Sequence, residues 1–292
     1  MNLRYIFLLF YLLIPHNELF SWGFYAHKKI NRQAVFSLPP EMMGFYKKHI
    51  EEITEKAVAA DERRHNDEDE APRHYIDIDA YGDSAVYEMP RYWYSALEVY
   101  PEDTLIEYGI VPWHVNLIRH QLVEAFREKD ATKIIRLSAD LGHYIADSHV
   151  PLHTTLNYNG QLTGQDGIHS FWETRLPELF SDDYNLLVGP ASYHENPQLS
   201  IWDAVTGAHE ALDSVLSFEK ELSLEFTEDQ KYAFEKKADY TRRIYSKEFS
   251  ASYHEKLDGQ VERQMRKSIK LVADFWYTCW IEAGQPVLDD LD

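Results

Sequence analysis

The chain contains a single cysteine, Cys279, and only 12 glycines in 292 residues. One cysteine excludes an intramolecular disulfide, so the fold must be held together by core packing or by bound metal. The glycine content is below the average usage of about 7%. Asn-Gly turns flanked by alternating strands are also scarce. The Asn-Gly pair in YNG, residues 158–160, is not flanked by strands of this kind. These shortages point away from a disulfide scaffold and from a hairpin-rich fold.

Positive charge is in short supply as well. The 29 Lys and Arg residues face 49 Asp and Glu residues, which gives a formal net charge of −20. Such a surface repels polyanions at long range and counts against extended nucleic acid as a partner. It remains compatible with a local positive site. Hydrophobic residues make up 45% of the chain, which is enough for a sizeable core.

The N-terminal segment has the pattern of an export signal. One positive charge in MNLR precedes the apolar run YIFLLFYLLI, residues 5–14. This run is too short to cross a bilayer comfortably and fits the apolar core of a signal peptide. With Ser21 at the expected cut, the sequence predicts a signal peptide over residues 1–21. The remaining 22–292 then form one exported domain, periplasmic or secreted, and an uncleaved membrane anchor is the alternative.

Helical periodicity dominates the rest of the chain. Apolar residues recur at three- and four-residue steps from Trp113 to Phe126 and again from Ile134 to Ile145, with a break at 129–130. Similar runs cover about 28–57, 197–222, 228–256 and 259–283, and long irregular loops are expected at 62–112 and 150–168. The sequence therefore predicts an all-α fold, a single globular multi-helix domain with long loops and no internal repeat.

The segment GHYIADSHVPLH, residues 142–153, concentrates residues that bind metal. His143 and Asp147 are four residues apart in a helical run, so their side chains share one face with Cβ atoms about 5–6 Å apart. One metal ion can bridge that gap, since Zn–N and Zn–O bonds are about 2.0–2.2 Å long. His153 follows the proline that ends the helix and can approach the same region from another direction.

Further candidate ligands flank this segment. GIHSFWE supplies His169 and Glu173, a second pair with the same spacing, and AADERR…PRHYIDID supplies Asp61 and His74 across an acidic loop. A single pair of this kind is more often a helix-surface pair. Two pairs with a histidine between them favour a metal site.

Trp22 would become the first residue if the leader is cut after Ser21. A free α-amino group ordinarily has a pKa of about 7.7–8.0, and that of Trp22 would lose its proton to a nearby dication and become a ligand. The Trp22 carbonyl could close a chelate, and His27 lies five residues later. An N-terminal helix with an aromatic staple is the alternative explanation of this Trp.

These residues, in this order, resemble a known superfamily. WGxxxH at a processed N-terminus, then Asp, His, HxxxDxxxxxH and HxxxE, is similar to bacterial zinc-dependent phospholipase C and to the fungal single-strand-specific zinc nucleases. The motifs cover about residues 22–173. The resemblance implies a cleft with three zinc ions: the first held by Asp61, His74, His143 and Asp147, the second by His153, His169 and Glu173, and the third by Trp22 and His27 with Asp147 as a bridge.

The resemblance also implies an exported zinc-dependent hydrolase that attacks phosphodiester bonds with metal-activated water. Asp61 is then a candidate proton acceptor and Arg64 a candidate catalytic residue. The charge of three zinc ions exceeds that of three carboxylates, which makes the site locally positive. No stable protein partner is implied, and transient contact with a membrane surface fits a lipid substrate.

The substrate is the open question. Glu173, the lack of disulfides and the negative charge favour a phospholipase C-like enzyme acting on a phospholipid headgroup. Arg64, three residues after Asp61, resembles the nuclease pattern, and Tyr75 and Asp77 could bind a base. A single-strand-preferring endonuclease or 3′-nucleotidase-like enzyme is therefore the alternative. A non-catalytic helical protein that binds zinc structurally is the third hypothesis.

Overall fold

Helices account for most of the chain in the computed structural model, which describes residues 23–237 and 240–291. The α-helices of this part are α1 (Phe24–Ala34), α2 (Pro40–Lys48), α3 (Ile50–Lys56), α4 (Ala59–Arg63), α5 (Ala85–Glu88), α6 (Trp93–Leu97), α7 (Glu102–Glu107), α8 (Val111–Glu128), α9 (Ala131–Asp147), α10 (Ile168–Ser170), α11 (Leu176–Phe180), α12 (Pro197–Leu222), α13 (Glu228–Lys231), α14 (Lys247–Lys256) and α15 (Gln260–Glu282). Short 3₁₀ turns cover Val35–Ser37, Ala71–Arg73, Ile78–Tyr81 and Pro151–Thr154, and a π-helical turn covers Phe171–Arg175. The prediction of a mostly helical, globular fold is confirmed.

Helices α8 and α9 form the centre of the fold, joined by a very short connection. Lys129 adopts the left-handed conformation with φ 55°, which ends α8. The side chain of Asp130 then accepts a hydrogen bond from the backbone N–H of Lys133 at 3.0 Å and starts α9. The predicted break at 129–130 is thus a tight turn between two packed helices.

Helix α9 is buried along most of its length beneath α1, α3, α8 and α15. A glycine allows α1 to approach it closely. A Cβ atom at Gly142 would lie 2.0 Å from Oδ1 of Asn31, and the Asn31 side chain donates to the carbonyl of Ala139 at 3.1 Å. This close approach brings the first turn of α1 next to the C-terminal half of α9.

A β-hairpin interrupts the segment 228–256, which the sequence predicted to be helical. Strands β1 (Tyr232–Lys237) and β2 (Tyr240–Tyr245) pair antiparallel, with Tyr232 opposite Tyr245. The prediction of a continuous helix is wrong there. The physical reason is tertiary packing: pairing places both tyrosines on one face of the hairpin, and the buried Tyr245 stacks on Phe171 with ring centroids 3.8 Å apart.

The segment 62–112 is also more regular than expected, because it contains α5, α6 and α7, helices of four to six residues. Among the helices that the structure describes, none has the length and apolar character needed to span a bilayer. The predicted leader, residues 1–21, and Trp22 lie outside the described residues.

Candidate metal centre

The centre is built on the last turns of α9. His143 and Asp147 are both fully buried, and Nε2 of His143 lies 3.3 Å from Oδ2 of Asp147. The other ring nitrogen of His143, Nδ1, donates a hydrogen bond to the carbonyl of Ala57 at 2.8 Å. A histidine that donates through one nitrogen presents the lone pair of the other one. The fold therefore aims Nε2 of His143 at the space beside Asp147.

The 61–74 loop brings two more of the predicted residues to this space. Nδ1 of His74 lies 2.9 Å from Oδ2 of Asp147 and 3.0 Å from Nε2 of His143. Oδ1 of Asp61, on α4, lies 3.8 Å from both of these ring nitrogens. Two distant segments of the sequence, 61–74 and 143–147, therefore converge here, and all four residues are buried.

Helix α1 adds His27 from the opposite side. Its ring stacks on that of His143 with centroids 3.9 Å apart, and its Nε2 lies 3.4 Å from Oδ1 of Asp147. His74 and His143 face the other oxygen of the same carboxylate. The Asp147 carboxylate thus lies between two sets of histidines, which suits a bridging role.

His153, His169 and Glu173 form a second cluster next to the first. Nδ1 of His153 donates to the carbonyl of His74 at 2.8 Å, and its Nε2 lies 3.0 Å from Nε2 of His169. The latter atom is 3.1 Å from Oε2 of Glu173. Nδ1 of His153 is also 3.7 Å from Oδ1 of Asp147, so the two clusters are contiguous.

The donor atoms fit metal ions. Three groups of side chains could hold one: His27, Asp61 and His143; His74, His143 and Asp147; and His153, His169 and Glu173. Within each group the donor atoms lie within 4.8 Å of one another, close to the limit of about 4.4 Å that two ligands 2.2 Å from one ion can reach. The resemblance instead places His27 with Trp22, which lies outside the described residues.

Buried carboxylate oxygens without donors provide a separate test of this fit. Within the described part of the chain, both oxygens of Asp61 and Oε1 of Glu173 are buried and have no hydrogen-bond partner. Leaving a buried carboxylate oxygen without a hydrogen bond costs about 1–3 kcal/mol. A cation between the carboxylates and the histidines would remove that cost. The residues therefore fit a metal ion.

The ionisation of the cluster follows from burial and mutual contact. Burial alone would lower the pKa of His143, but the carboxylates of Asp147 and Asp61 raise it to about 9. Burial raises the pKa of Glu173 to about 8 and lowers the pKa of His169 to about 4. Burial also acts to raise the pKa of Asp147, but its histidine neighbours hold it well below the usual range. Metal binding would compete with the protons on these groups.

Sequence reasoning missed a buried glutamate behind His74. Glu70 is fully buried, and its Oε1 lies 3.5 Å from Nε2 of His74 while Nδ1 faces the cluster. Arg73 donates to Glu70 at 2.6 Å, and the hydroxyl of Tyr144 also donates to it. A carboxylate behind a metal-binding histidine orients its ring and increases its basicity. The only sequence signal is the four-residue spacing of Glu70 and His74.

A cavity of about 230 Å³ opens onto the cluster beside His74, His153 and His169. Arg64 lines it, with Nη1 3.7 Å from Oδ1 of Asp61. The other lining residues include Tyr75, Asp77 and Tyr158. Burial, together with the nearby Asp79, raises the pKa of Asp77 to about 7. The wall thus combines a cation, two aromatic rings and a carboxyl group that can donate a hydrogen bond near neutral pH.

Comparison with known proteins does not identify a family for this chain. A scan against models of protein families gave no match. A search of curated proteins gave no match either.

Proposed function

We propose that this protein is a zinc-dependent phosphodiesterase. The observation that carries the proposal is the burial of five histidines and three carboxylates in two contiguous clusters, three of whose histidines line an open cavity. Imidazole and carboxylate donors without thiolate suit zinc. The order of the motifs, which resembles the phospholipase C and nuclease superfamily, supports the same assignment.

We assign the zinc ligands as the resemblance implies: Asp61, His74, His143 and Asp147 to one ion; His153, His169 and Glu173 to a second; and His27 with the amine and carbonyl of Trp22 to a third. When bound, zinc would act as a Lewis acid on a phosphoryl oxygen and lower the pKa of water. The contacts of both Asp147 oxygens with histidines support the bridging role of this residue.

The roles of the chain's own residues follow from their positions. Arg64 lies on the cavity wall, where its guanidinium can bind phosphate oxygens and neutralise charge that develops on them. Asp61 lies next to Arg64 and has no hydrogen-bond donor among the described residues. Asp61 can therefore take the proton that the attacking water loses. No covalent intermediate with the protein is needed.

A phospholipid headgroup is the first substrate class, on the basis of Glu173 and the net charge. One observation favours the nuclease alternative. Arg64 lines the cavity and its side chain is only 21% exposed, and two tyrosines on the same wall could stack on a base. We therefore retain single-stranded nucleic acid as the second substrate class.

Export would supply the last ligand. We propose that cleavage after Ser21 exposes Trp22 as the mature N-terminus. Support comes from Gly23, which packs so closely against Thr174 that a Cβ would lie 2.4 Å from its Oγ1. The start of the domain thus lies next to Glu173. Intact-mass analysis of the exported protein tests this proposal, and a mature start at another residue would overturn it.

The experiment for the whole proposal uses purified protein loaded with zinc. It is assayed on bis-p-nitrophenyl phosphate, phosphatidylcholine vesicles, single-stranded DNA and RNA. Chelation should abolish activity on at least one of these and zinc should restore it. Arg64→Ala should cost roughly 10²–10³ in rate on nucleic acid if the arginine contacts the phosphate, and less than tenfold or so on lipid if it does not. If the protein binds zinc but hydrolyses none of these substrates, the result would favour a non-catalytic zinc-binding protein.

A further inference from the structure

A second cavity, of about 340 Å³, lies between the start of α1, the segment 166–178 and the β-hairpin. It shares no lining residue with the cavity beside the metal cluster. Three arginines line it, Arg175, Arg242 and Arg243, in a protein whose formal net charge is −20. Arg242 and Arg243 are exposed and Arg175 is partly buried, so solvent screens part of their mutual repulsion and a bound anion would offset the rest.

The acidic residues nearby do not pair with most of this charge. In the described residues, Arg242 has one carboxylate within 4.0 Å, that of Glu235 at 3.9 Å, and Arg175 and Arg243 have none. Asp166 and Glu178 also line the cavity, but neither forms an ion pair of that length within the part of the chain that the structure describes. Arg243 lies over the ring of Tyr232, 4.1 Å from its centroid. That contact orients the guanidinium but does not neutralise it.

Buried donors without acceptors provide a second, independent observation. Nε of Arg175 and Oγ1 of Thr174 are both buried and have no hydrogen-bond partner among the residues that the structure describes. Both residues line this cavity. A buried donor without an acceptor destabilises the fold. An acceptor-rich ligand at this wall would offer such atoms a partner.

We propose that this cavity binds a phosphodiester group, at a site separate from the metal centre. The planar fork of an arginine matches the oxygens of a phosphate better than an ammonium does. Three arginines and two carboxylates, Asp166 and Glu178, leave a charge of 3 − 2 = +1 on the lining. That charge suits a phosphodiester, which carries one negative charge, rather than a highly charged anion. The diester can belong to a nucleotide chain or to a lipid headgroup.

The position of the cavity relates it to the proposed function, although binding does not depend on that function. Arg175 and Thr174 belong to the same π-helical turn as Glu173. A substrate with two or more phosphodiesters could therefore contact both sites, one at the metal cluster and one at the arginines. Such a substrate would be a nucleic acid strand, whereas a lipid would bring a single diester.

Arginine footprinting tests the site directly. The purified metal-loaded protein is treated with phenylglyoxal, and modification of each arginine is followed by mass spectrometry. The probes are a phosphorothioate dinucleotide, which resists hydrolysis, and glycerophosphocholine. Either probe should slow modification of Arg175 and Arg243 by about tenfold, the effect of one charge-assisted contact. Arg136, half-exposed on α9, is the matched control and should not respond.

The two probes distinguish the two sources of the diester. Protection by the dinucleotide alone assigns the site to a nucleotide chain, and protection by glycerophosphocholine alone assigns it to a headgroup. An Arg175→Gln/Arg243→Gln variant should bind the protecting probe about a hundredfold more weakly, the product of two such contacts. Equal protection of Arg136, or no protection by either probe, would overturn the proposal.

The Asp147→Ala variant separates this site from the metal centre. Loss of Asp147 should remove protection of Arg64 and leave protection of Arg175 and Arg243 unchanged. If all three arginines lose protection together, the second site is wrong while the proposed function stands. If Arg175 and Arg243 stay protected in a protein without phosphodiesterase activity, the proposed function is wrong and the second site stands.

Discussion

Asp147 and Asp274 are both buried aspartates that contact histidines, but the groups around them differ. Asp274, on α15, accepts a hydrogen bond from the backbone N–H of Ser192 at 2.7 Å and one from the ammonium of Lys270. His194 lies 3.1 Å from its other oxygen. Both oxygens of Asp274 thus have protein partners. These contacts hold the loop before α12 against α15.

The carboxylate of Asp147 instead lies among histidine rings. The nitrogens of His27, His74, His143 and His153 lie 2.9–3.7 Å from its oxygens. His143 donates its other ring N–H to the carbonyl of Ala57, and His153 donates Nδ1–H to the carbonyl of His74, which leaves its Nε2 facing His169. A His–Asp pair alone therefore does not indicate metal, whereas several imidazoles that converge beside the unpartnered carboxylate oxygens of Asp61 and Glu173 do. His194 is consequently part of a structural contact, and the exposed His65 is a better control histidine.

Of these substitutions, loss of Asp147 should have the largest effect on activity. Asp147→Ala removes a carboxylate that faces both clusters, so we expect phosphodiesterase kcat/KM to fall by more than the roughly 10²–10³ that one preorganised group supplies. His27→Ala, which removes a residue assigned to one ion, should cost less. His65→Ala should leave the activity unchanged. Equal activities of the Asp147→Ala and His65→Ala proteins would remove the bridging role.

Metal removal should lower stability as well as activity. The proposed ligands come from α1, α4, α9, α10, the π-helical turn and the segments that carry His74 and His153. Metal binding would add about 4 kcal/mol to the folding free energy at a thousandfold excess over Kd. For a domain of this size we expect chelation to lower Tm by roughly 10 °C. Thermal melting with and without chelator measures this decrease in Tm. We expect the decrease in Asp274→Asn to equal that of the wild type and the decrease in Asp147→Ala to be small. An unchanged Tm in metal-free wild type would contradict the account.

A pH effect is expected at His149, which lies two residues after Asp147 and lines a cavity with His194 and Asp274. Its Nδ1 donates to the carbonyl of Ile145 at 2.8 Å, and burial lowers its pKa to about 4. Between pH 6.5 and 4 the unfolded chain therefore binds a proton at this residue that the folded chain does not. Stability should be complete above pH 6.5 and fall by up to about 3 kcal/mol toward pH 4.

Denaturant unfolding of wild type and His149→Gln across this range checks the effect. The variant lacks the titrating group, so its free energy of unfolding should depend less on pH. The metal ligands contribute equally to both proteins and cancel in the difference. Parallel pH profiles of the two proteins would show that His149 is not kept neutral by burial.

The smallest effect is expected at Glu70. Glu70→Gln leaves the shape of the side chain but removes the charge behind His74, and changes of this kind reduce metal affinity about 10–100-fold. Glu68→Gln, at an exposed position of the same acidic run, is the matched control. Competition with a chromophoric chelator measures both. Equal affinities would mean that Glu70 has only a structural role with Tyr144 and Arg73.

Much of the fold could be predicted because long helices leave a periodic apolar pattern in the sequence. The apolar spacing from Trp113 to Ile145 and the break at 129–130 correspond to α8, α9 and their turn. The hairpin at 232–245 could not be predicted this way. Its segment contains apolar residues at spacings that suit either structure, and packing of Tyr245 on Phe171 decides between them. Such a contact joins residues more than seventy positions apart.

The sequence predicts those residues of the candidate site whose spacing and type place them together. His143 and Asp147 share a helix, so their spacing alone places them together. Glu70 is also four residues from His74, but no helical pattern connects the two, and in HNDEDEAP it is indistinguishable from the solvated acids beside it. Its burial is determined by Tyr144 and Arg73, which come from α9 and the turn after the acidic run.

We propose that the Asp147 cluster holds metal and that the Asp274 group does not. Metal quantification combined with native mass spectrometry of the purified protein distinguishes the two. We expect close to three zinc ions per chain in the wild type and in Asp274→Asn, and a loss of at least one ion in Asp147→Asn. A folded, active wild type without metal, or equal metal content in all three proteins, would contradict it.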